Sequence, residues 1–115
     1  MSDIQKITEE INKFVDERDW RQFHNPKDMA LSILLEAAEL VEHFQWLKGD
    51  EIEERSLVRK SEIQDEVADV AMLLFELAHN LQIDLGEAIR LKMIKNRQKY
   101  PIEKAKGKHT KYDKF

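Results

Sequence analysis

The sequence predicts an all-α protein, a bundle of four helices, and three observations support this fold class. The chain of 115 residues contains only three glycines and two prolines, and 37% of its residues are charged, a composition that favours helices. Apolar residues recur at intervals of three and four over most of the chain, which is the spacing of a helix face. No segment shows the alternation of apolar and polar residues that indicates a β-strand. The length fits a single domain.

The first helix is predicted to follow a capping box formed by Ser2 and Gln5 and to end near Arg18. Its apolar stripe has helical spacing and consists of Ile4, Ile7, Ile11, Phe14 and Val15. Residues 19–25 interrupt this stripe and are rich in aromatic and hydrogen-bonding side chains. We predict a loop there that either covers the core or stacks on a ligand.

The second helix is predicted to begin at Asn25 and Pro26, with asparagine as the N-cap and proline in the first turn. Its broad apolar stripe continues as far as Leu47, which suggests contact with more than one neighbouring helix. Gly49 marks the end, because glycine commonly follows the last helical residue. The helix is therefore expected to reach about Lys48.

The third helix is predicted to follow an acidic connection over residues 49–54. Its apolar residues are separated by alternating steps of four and three, as in packed helical bundles; they are Ile63, Val67, Val70, Leu74, Leu77 and Leu81. The fourth helix is predicted to start at a capping box formed by Asp84 and Glu87. It is expected to end at Tyr100, because the next residue is Pro101.

The predicted domain covers residues 1–103, and residues 104–115 are interpreted as a flexible tail. The tail holds five lysines and one aspartate and has little apolar content. The net charge of the whole chain is −4, so the tail carries +4 and the remainder −8. An acidic body argues against a nucleic acid polymer as partner, but it is compatible with a small phosphate ligand that arrives with its own metal ions.

Two pairs of acidic residues carry the functional prediction. Glu36 and Glu39 lie one turn apart on the second predicted helix, and Glu66 and Asp69 do so on the third. An antiparallel hairpin that turns near residues 51–52 would bring all four carboxylates together. Such a cluster is either the solvated surface of charged helices or a site for a hard divalent cation, Mg²⁺ or Mn²⁺, which removes the repulsion between the carboxylates. Apolar residues interleave with the acids, which favours the cation site.

Composition also excludes several classes of protein. The absence of cysteine excludes disulfide frameworks and thiolate zinc sites. The N-terminus lacks a secretory pattern, and no stretch approaches the ~18 apolar residues that a membrane-spanning helix needs. We therefore expect a cytoplasmic protein that does not bind membranes.

Three further segments accompany the acidic pairs: ERDWRQFHNP at residues 17–26, ELVEHFQW at 39–46 and KMIKNRQKYP at 92–101. In this order they resemble the MazG-like all-α nucleoside triphosphate pyrophosphohydrolases, and within them the dCTP pyrophosphatase branch. The resemblance covers nearly the whole chain up to Pro101. It implies a homodimer or homotetramer with sites near the subunit boundaries.

The resemblance also implies an activity, the hydrolysis of a deoxynucleoside triphosphate, dCTP or a base-modified dCTP, to the monophosphate and pyrophosphate. It implies that Mg²⁺, or Mn²⁺ in its place, is held by the four acids, and that one of these carboxylates orients or deprotonates the attacking water. The implied catalytic and metal-binding residues are Glu36, Glu39, Glu66 and Asp69. The implied substrate-binding residues are Trp20, His24 and Trp46 around the base and sugar, and Lys92, Asn96, Arg97 and Tyr100 from the fourth helix.

One position departs from the family pattern, since Leu73 stands where the mammalian dCTP enzymes have a tyrosine, and base preference is therefore left open. Two alternatives keep an enzymatic function: a broad-specificity dNTP pyrophosphatase, or a relative of the phosphoribosyl-ATP pyrophosphohydrolases. A third is a helical metal-binding oligomer or interaction module without activity. His43, one turn beyond Glu39, is interpreted as a surface or hydrogen-bonded histidine and not as a metal ligand.

Overall fold

The structure is a computed structural model that describes residues 2–114, and all regular secondary structure in that range is helical. The chain divides into two compact units, one up to Gln82 and one from Ile83 onward. The all-α prediction is confirmed, and the four long helices correspond to the four predicted ones. The α-helices are Asp3–Glu17 (α1), Pro26–Glu42 (α2), Asp50–Val58 (α3), Lys60–Asn80 (α4), Leu85–Lys99 (α5) and Ile102–Ala105 (α6), with short 3₁₀ helices at Arg21–Phe23 and Tyr112–Lys114.

The predicted helix starts are confirmed by their capping hydrogen bonds. At the start of α1, the Gln5 backbone N–H donates to Ser2 Oγ at 3.2 Å, and the Ser2 N–H donates to Gln5 Oε1 at 2.9 Å. These two bonds form the expected capping box. The side chain of Asn25 caps α2, and that of Asp84 caps α5. The capping box predicted for α5 is only half formed, because the Glu87 N–H donates to Asp84 Oδ1 but the Glu87 side chain does not accept from the Asp84 N–H. In each case a side-chain oxygen accepts a backbone N–H that has no partner within the helix.

The second helix is shorter than predicted, because α2 ends at Glu42 and not near Lys48. The chain then continues in tight turns that keep apolar side chains such as Leu47 half-buried, so the apolar spacing persists after the helix has ended. The backbone carbonyl of His43, at the helix end, accepts a hydrogen bond from Arg55 Nη1 at 3.0 Å. A partner from α3 thus satisfies a carbonyl that the helix leaves open.

The acidic connection predicted over residues 49–54 is also wrong, since Asp50 to Val58 form α3. Gly49 precedes this helix with a φ of +56°, a conformation that glycine adopts without strain. Three acidic residues occupy the first turn of α3, where negative charge is favoured by the helix dipole. The acidic residues therefore start a helix, and the predicted hairpin turn is replaced by α3.

The unit up to Gln82 is organised around α4, which packs against α1, α2 and α3. Its most buried apolar side chains are Ile11, Val15, Met29 and Ala78. Two polar residues, Asn12 and Glu76, are as deeply buried as these. Because buried polar groups need hydrogen-bond partners, Asn12 and Glu76 mark a polar region inside the unit.

The second unit contains α5 and the lysine-rich C-terminal segment. Tyr100 and Tyr112 meet edge to face with their ring centroids 5.9 Å apart, and the Lys99 ammonium lies 4.8 Å from the Tyr112 ring centroid. The division into a domain ending at residue 103 and a flexible tail stays a prediction. Within residues 2–114, no helix has the length and apolar character needed to span a bilayer; the cytoplasmic location stays a prediction.

Candidate active site

The four predicted acids come together between α2 and α4. The pKa of Glu36 is raised above its ordinary value, first by burial and then by the neighbouring Glu39 carboxyl. The negative charges of Glu39, Asp69 and Glu66 raise it further, because like charges disfavour the ionised form of a neighbouring carboxyl. We call Glu36, Glu39, Glu66 and Asp69 the acidic cluster.

Two oxygen atoms of the acidic cluster lack hydrogen-bond partners. Glu36 Oε2 and Glu66 Oε2 are both buried, and neither accepts a hydrogen bond from the described residues. Glu66 Oε2 lies 2.6 Å from His43 Nε2, but this close contact lacks the alignment of a hydrogen bond. His43 is thus beside the cluster, and its Nδ1 is also buried without a partner.

The donor set of the acidic cluster fits a hard divalent cation. Mg²⁺ and Mn²⁺ bind carboxylate oxygens, and buried oxygens without a donor can be satisfied by such an ion. Across residues 2–114, no three histidine, aspartate or glutamate side chains already stand in a metal-binding arrangement. The prediction of a cation site therefore depends on the chemistry of the carboxylate oxygens and on the crowding of their negative charges.

A cleft of about 260 Å³ adjoins the acidic cluster. Glu36 and Asp69 contribute to its lining, so the cluster and the cleft are one site. The remaining lining residues come from α1, the aromatic segment and α4: Ile11, Phe14, Val15, Trp20, His24, Met72, Leu73 and Glu76. A mainly apolar cleft with a few polar groups is the usual form of a small-molecule site.

The aromatic segment, residues 19–25, is held against the end of α1. Trp20 and Phe14 meet edge to face with ring centroids 5.6 Å apart, and the Trp20 N–H donates to the Val15 carbonyl at 3.1 Å. The Arg18 guanidinium covers the Phe14 ring at 3.7 Å from its centroid, a favourable cation–π contact. These contacts place Trp20 at the cleft. This position is compatible with the predicted ligand-stacking role of the loop.

A second polar group surrounds Arg21. Its guanidinium donates from Nη2 to Asn12 Oδ1 at 2.6 Å, from Nη1 to Asn80 Oδ1 at 2.6 Å and from Nε to Asp16 Oδ1 at 2.7 Å. The hydrogen bond from Arg21 lowers the pKa of Asp16 below its ordinary value. These three hydrogen bonds connect the aromatic segment to α1 and to the end of α4.

The same group continues to His24 through Glu76. Glu76 is 2% exposed, and its Oε2 lies 2.5 Å from His24 Nδ1 and 3.5 Å from Asn80 Nδ2. We call Asn12, Asp16, Arg21, His24, Glu76 and Asn80 the Arg21 network. Sequence reasoning did not predict Glu76, although it follows Glu66, Asp69 and Leu73 at helical spacing on the same face of α4.

The other predicted substrate-binding residues lie outside this cleft or in the second unit. Trp46 is 84% exposed, lies in the turns after α2 and does not line the cleft. Lys92, Asn96 and Arg97 are exposed on α5, and Tyr100 follows that helix directly. The roles of these five residues toward a substrate stay predictions.

The fold and the site define a class: all-helical proteins in which two acidic pairs on neighbouring helices border a ligand cleft. The chain belongs to the MazG-like family, whose model matches residues 31–115. The family resemblance of the sequence is thereby confirmed.

Individual relatives agree with this assignment. The chain is 37% identical over 114 residues to dCTP pyrophosphatase 1 of Mus musculus and 36% identical over 114 residues to that of Homo sapiens, matching 97% of this chain and 65% of each relative. It therefore spans about two thirds of the length of these relatives. A crystal structure of a pyrophosphatase from Archaeoglobus fulgidus is similar with a TM-score of 0.84 and 39% identity, covering 88% of this chain and 94% of that one.

Proposed function

We propose that the protein is a Mg²⁺-dependent nucleoside triphosphate pyrophosphohydrolase that converts dCTP, or a dCTP modified on its base, to the monophosphate and pyrophosphate. The observation that carries the proposal is the acidic cluster, whose crowded carboxylates and unpartnered buried oxygens adjoin a cleft. The name of the mammalian relatives, dCTP pyrophosphatase 1, supports this reaction, and the description of the Archaeoglobus fulgidus protein as a pyrophosphatase supports the general class of activity.

The reaction requires a negatively charged triphosphate to approach four carboxylates. Glu36, Glu39, Glu66 and Asp69 would hold the divalent ions, which when bound neutralise the triphosphate and acidify a water molecule. The pKa of Glu36 is raised above its ordinary value, which suits its carboxylate to orienting the attacking water or accepting its proton. The acidic cluster therefore supplies both the ligands for the ions and the proton acceptor.

The cleft supplies the pocket for the base and sugar. Trp20 offers an indole ring for stacking, and His24 offers a ring nitrogen for hydrogen bonding. Leu73 adds an apolar surface in the same cleft. Lys92 and Arg97 on α5 are the cationic groups proposed to contact the phosphates, with Asn96, Tyr100 and Trp46 completing the set.

The experiment is a measurement of pyrophosphate release with Mg²⁺ from dCTP, 5-methyl-dCTP, dUTP, dTTP, dATP, dGTP and the ribonucleotides. Asp69→Asn is the inactive variant, with an expected loss of at least about 100-fold. Asp65→Asn, which changes an exposed aspartate on the same helix, is the matched control and should keep full activity.

A preference for the cytosine deoxynucleotides would support the proposal as stated. Equal rates across the panel would replace it with a broad-specificity dNTP pyrophosphatase. No release from any nucleotide, together with Mg²⁺ binding measured by calorimetry, would favour the non-catalytic metal-binding oligomer. Full activity of Asp69→Asn would contradict the role of the acidic cluster.

We further propose that the chain assembles into a homodimer or homotetramer. Leu34 and Leu35 are each 65% exposed and Val41 is 58% exposed on α2, and half of the apolar stripe predicted for α4 is likewise exposed. Exposed apolar side chains in this number on two helices favour association. Light scattering after size exclusion will give the mass, and a monomer would contradict this proposal.

A further inference from the structure

We propose that Glu76 is a positioning residue for base selection, which holds the proton of His24 on Nδ1 and so presents Nε2 as a hydrogen-bond acceptor for the amino group of a cytosine base. This inference rests on the proposed function and adds to it a determinant of the base. The carboxylate of Glu76 is the buried titratable group in the cleft that the acidic cluster does not use.

The orientation of the Asn80 amide is the first step of the argument. Arg21 carries only donors, so the Asn80 atom 2.6 Å from Arg21 Nη1 is the amide oxygen. The amide nitrogen of Asn80 is then the atom that points toward Glu76 Oε2, at 3.5 Å. The contact with Arg21 thereby fixes the Asn80 amide so that its nitrogen donates to Glu76.

The protonation pattern of His24 follows from Glu76. A carboxylate accepts hydrogen bonds and cannot donate them, so His24 Nδ1, 2.5 Å from Glu76 Oε2, carries the proton. A buried carboxylate with two donors is satisfied, whereas the same carboxylate facing an unprotonated nitrogen would not be. The Nδ1–H tautomer leaves Nε2 with a lone pair.

The free ring nitrogen is the one available to a ligand. His24 lines the cleft, and among residues 2–114 its Nε2 has no hydrogen-bond partner. A lone pair there accepts from the 4-amino group of cytosine, but it meets the 4-oxo group of uracil or thymine as one acceptor against another. A base that leaves the polar group of the site unpaired binds much more weakly than one that pairs with it.

The test compares Glu76→Met with Glu76→Gln. Methionine keeps the length of the side chain and removes the acceptor, whereas glutamine keeps an oxygen that can still accept from Nδ1. The probes are the non-hydrolysable α,β-imido analogues of dCTP and dUTP, whose bases differ in the 4-amino or 4-oxo group and in the proton that uracil carries on N3. The affinities of the two analogues are measured by calorimetry with Mg²⁺. The His24 tautomer is determined by ¹⁵N NMR at about pH 8, where an ordinary imidazole is neutral. The His24→Gln variant assigns the signal.

The wild-type protein is expected to show the Nδ1–H tautomer and to bind the dCTP analogue at least about tenfold more tightly than the dUTP analogue. Glu76→Gln should keep both properties. Glu76→Met should shift His24 toward the Nε2–H tautomer and reduce the preference to within about twofold. A purely structural role would instead weaken both analogues equally and leave the preference unchanged.

Three results would overturn the inference. They are an Nε2–H tautomer in the wild-type protein, an unchanged preference in Glu76→Met, and failure of the wild-type protein to bind either analogue. If the wild-type protein releases pyrophosphate from dCTP but Glu76→Met discriminates as before, only this inference fails. If it neither binds nor hydrolyses any nucleotide, the proposed function fails as well. Should Glu76→Met not fold, the wild-type tautomer and the behaviour of Glu76→Gln still decide.

Discussion

The acidic cluster and the Arg21 network adjoin the same cleft, yet their polar atoms are in opposite conditions. In the acidic cluster, buried oxygens of Glu36 and Glu66 have no donor, and the neighbouring negative charges raise the pKa of Glu36. In the Arg21 network, the guanidinium donates to three acceptors, and Glu76 Oε2 lies within hydrogen-bond distance of His24 Nδ1 and Asn80 Nδ2. The buried oxygens of the acidic cluster are left without donors by the chain itself, whereas the buried side chains of Asn12 and Glu76 have partners within the Arg21 network.

This difference indicates a division of roles. Unpaired buried acceptors and crowded like charges cost stability, which supports the proposed ligand-binding role of the acidic cluster. Paired buried groups rigidify the region that holds them, so the Arg21 network is arranged to fix the aromatic segment. Substitutions at the two regions are therefore expected to separate activity from stability.

The largest effect is expected from Glu36→Gln in the acidic cluster. We predict a loss of pyrophosphate release of at least about 100-fold, because the proposed metal ligand and proton acceptor is removed. Without metal, the same variant should melt about 2–5 °C higher than the wild-type protein, because one of the repelling charges is gone. Activity assays with Mg²⁺ and thermal unfolding in EDTA provide the two measurements.

Glu62→Gln, at an exposed glutamate in the first turn of α4, is the control for Glu36→Gln and should change neither quantity. A Glu36→Gln variant that is both inactive and less stable without metal would contradict the conclusion that charge repulsion in the acidic cluster destabilises the folded protein.

The next effect is expected from Arg21→Met in the Arg21 network. The variant leaves the side-chain oxygens of Asn12 and Asn80 without their donor, and Asn12 is buried. We predict a loss of about 2–3 kcal/mol in the free energy of unfolding, measured by urea denaturation. Arg18→Met removes a neighbouring arginine that contacts the rings of Phe14 and Trp20 and donates to the Phe14 carbonyl, and should cost about 0.5–1 kcal/mol. Equal losses in the two variants would contradict the structural role of the network.

The smallest effect is expected at the exposed edge of the network, in Asp16→Asn. The hydrogen bond from Arg21 lowers the folded-state pKa of Asp16 below its ordinary value of 3.8. A depressed carboxyl pKa stabilises the folded state above the ordinary pKa, and this stabilisation disappears as the pH falls through the lower folded value.

Wild type and Asp16→Asn should therefore differ slightly in urea midpoint near neutral pH and converge below about pH 4. Asp65→Asn, whose carboxylate has no ion pair within the described residues, serves as the control. A difference between wild type and Asp16→Asn that does not vary with pH would contradict this ionic contribution.

Much of the fold was predictable because it depends on local signals. The caps at Ser2, Asn25 and Asp84 involve residues three positions apart, and each is confirmed. The end of α2 was not predictable in the same way. Apolar spacing continues through Leu47, while the helix stops at Glu42 and a carbonyl at its end is satisfied by Arg55, twelve residues beyond His43. Periodicity carries no information about such a partner.

The candidate site was predictable to a similar extent. The i,i+3 spacing of the acids and the packing of two helices suffice to bring them together. The Arg21 network was not predicted, because its bonds join the aromatic segment to α1 and α4 through tertiary contacts. The apolar pattern of α4 also concealed Glu76, since an acid between Phe75 and Leu77 suggests an exposed position, and the structure shows the reverse.

The Arg21 network also has a consequence for the order of folding. Arg21 and Asn80 are 59 positions apart in the chain, and His24 and Glu76 are 52 apart. Contacts between such distant positions require closure of a long loop, which is slower and costs more entropy than forming a local turn. The aromatic wall of the cleft therefore acquires its final arrangement after α1 and α2 have formed, when the last turns of α4 arrive. During synthesis on the ribosome, the helix that bears Glu36 and Glu39 can form early, whereas the cleft is completed late.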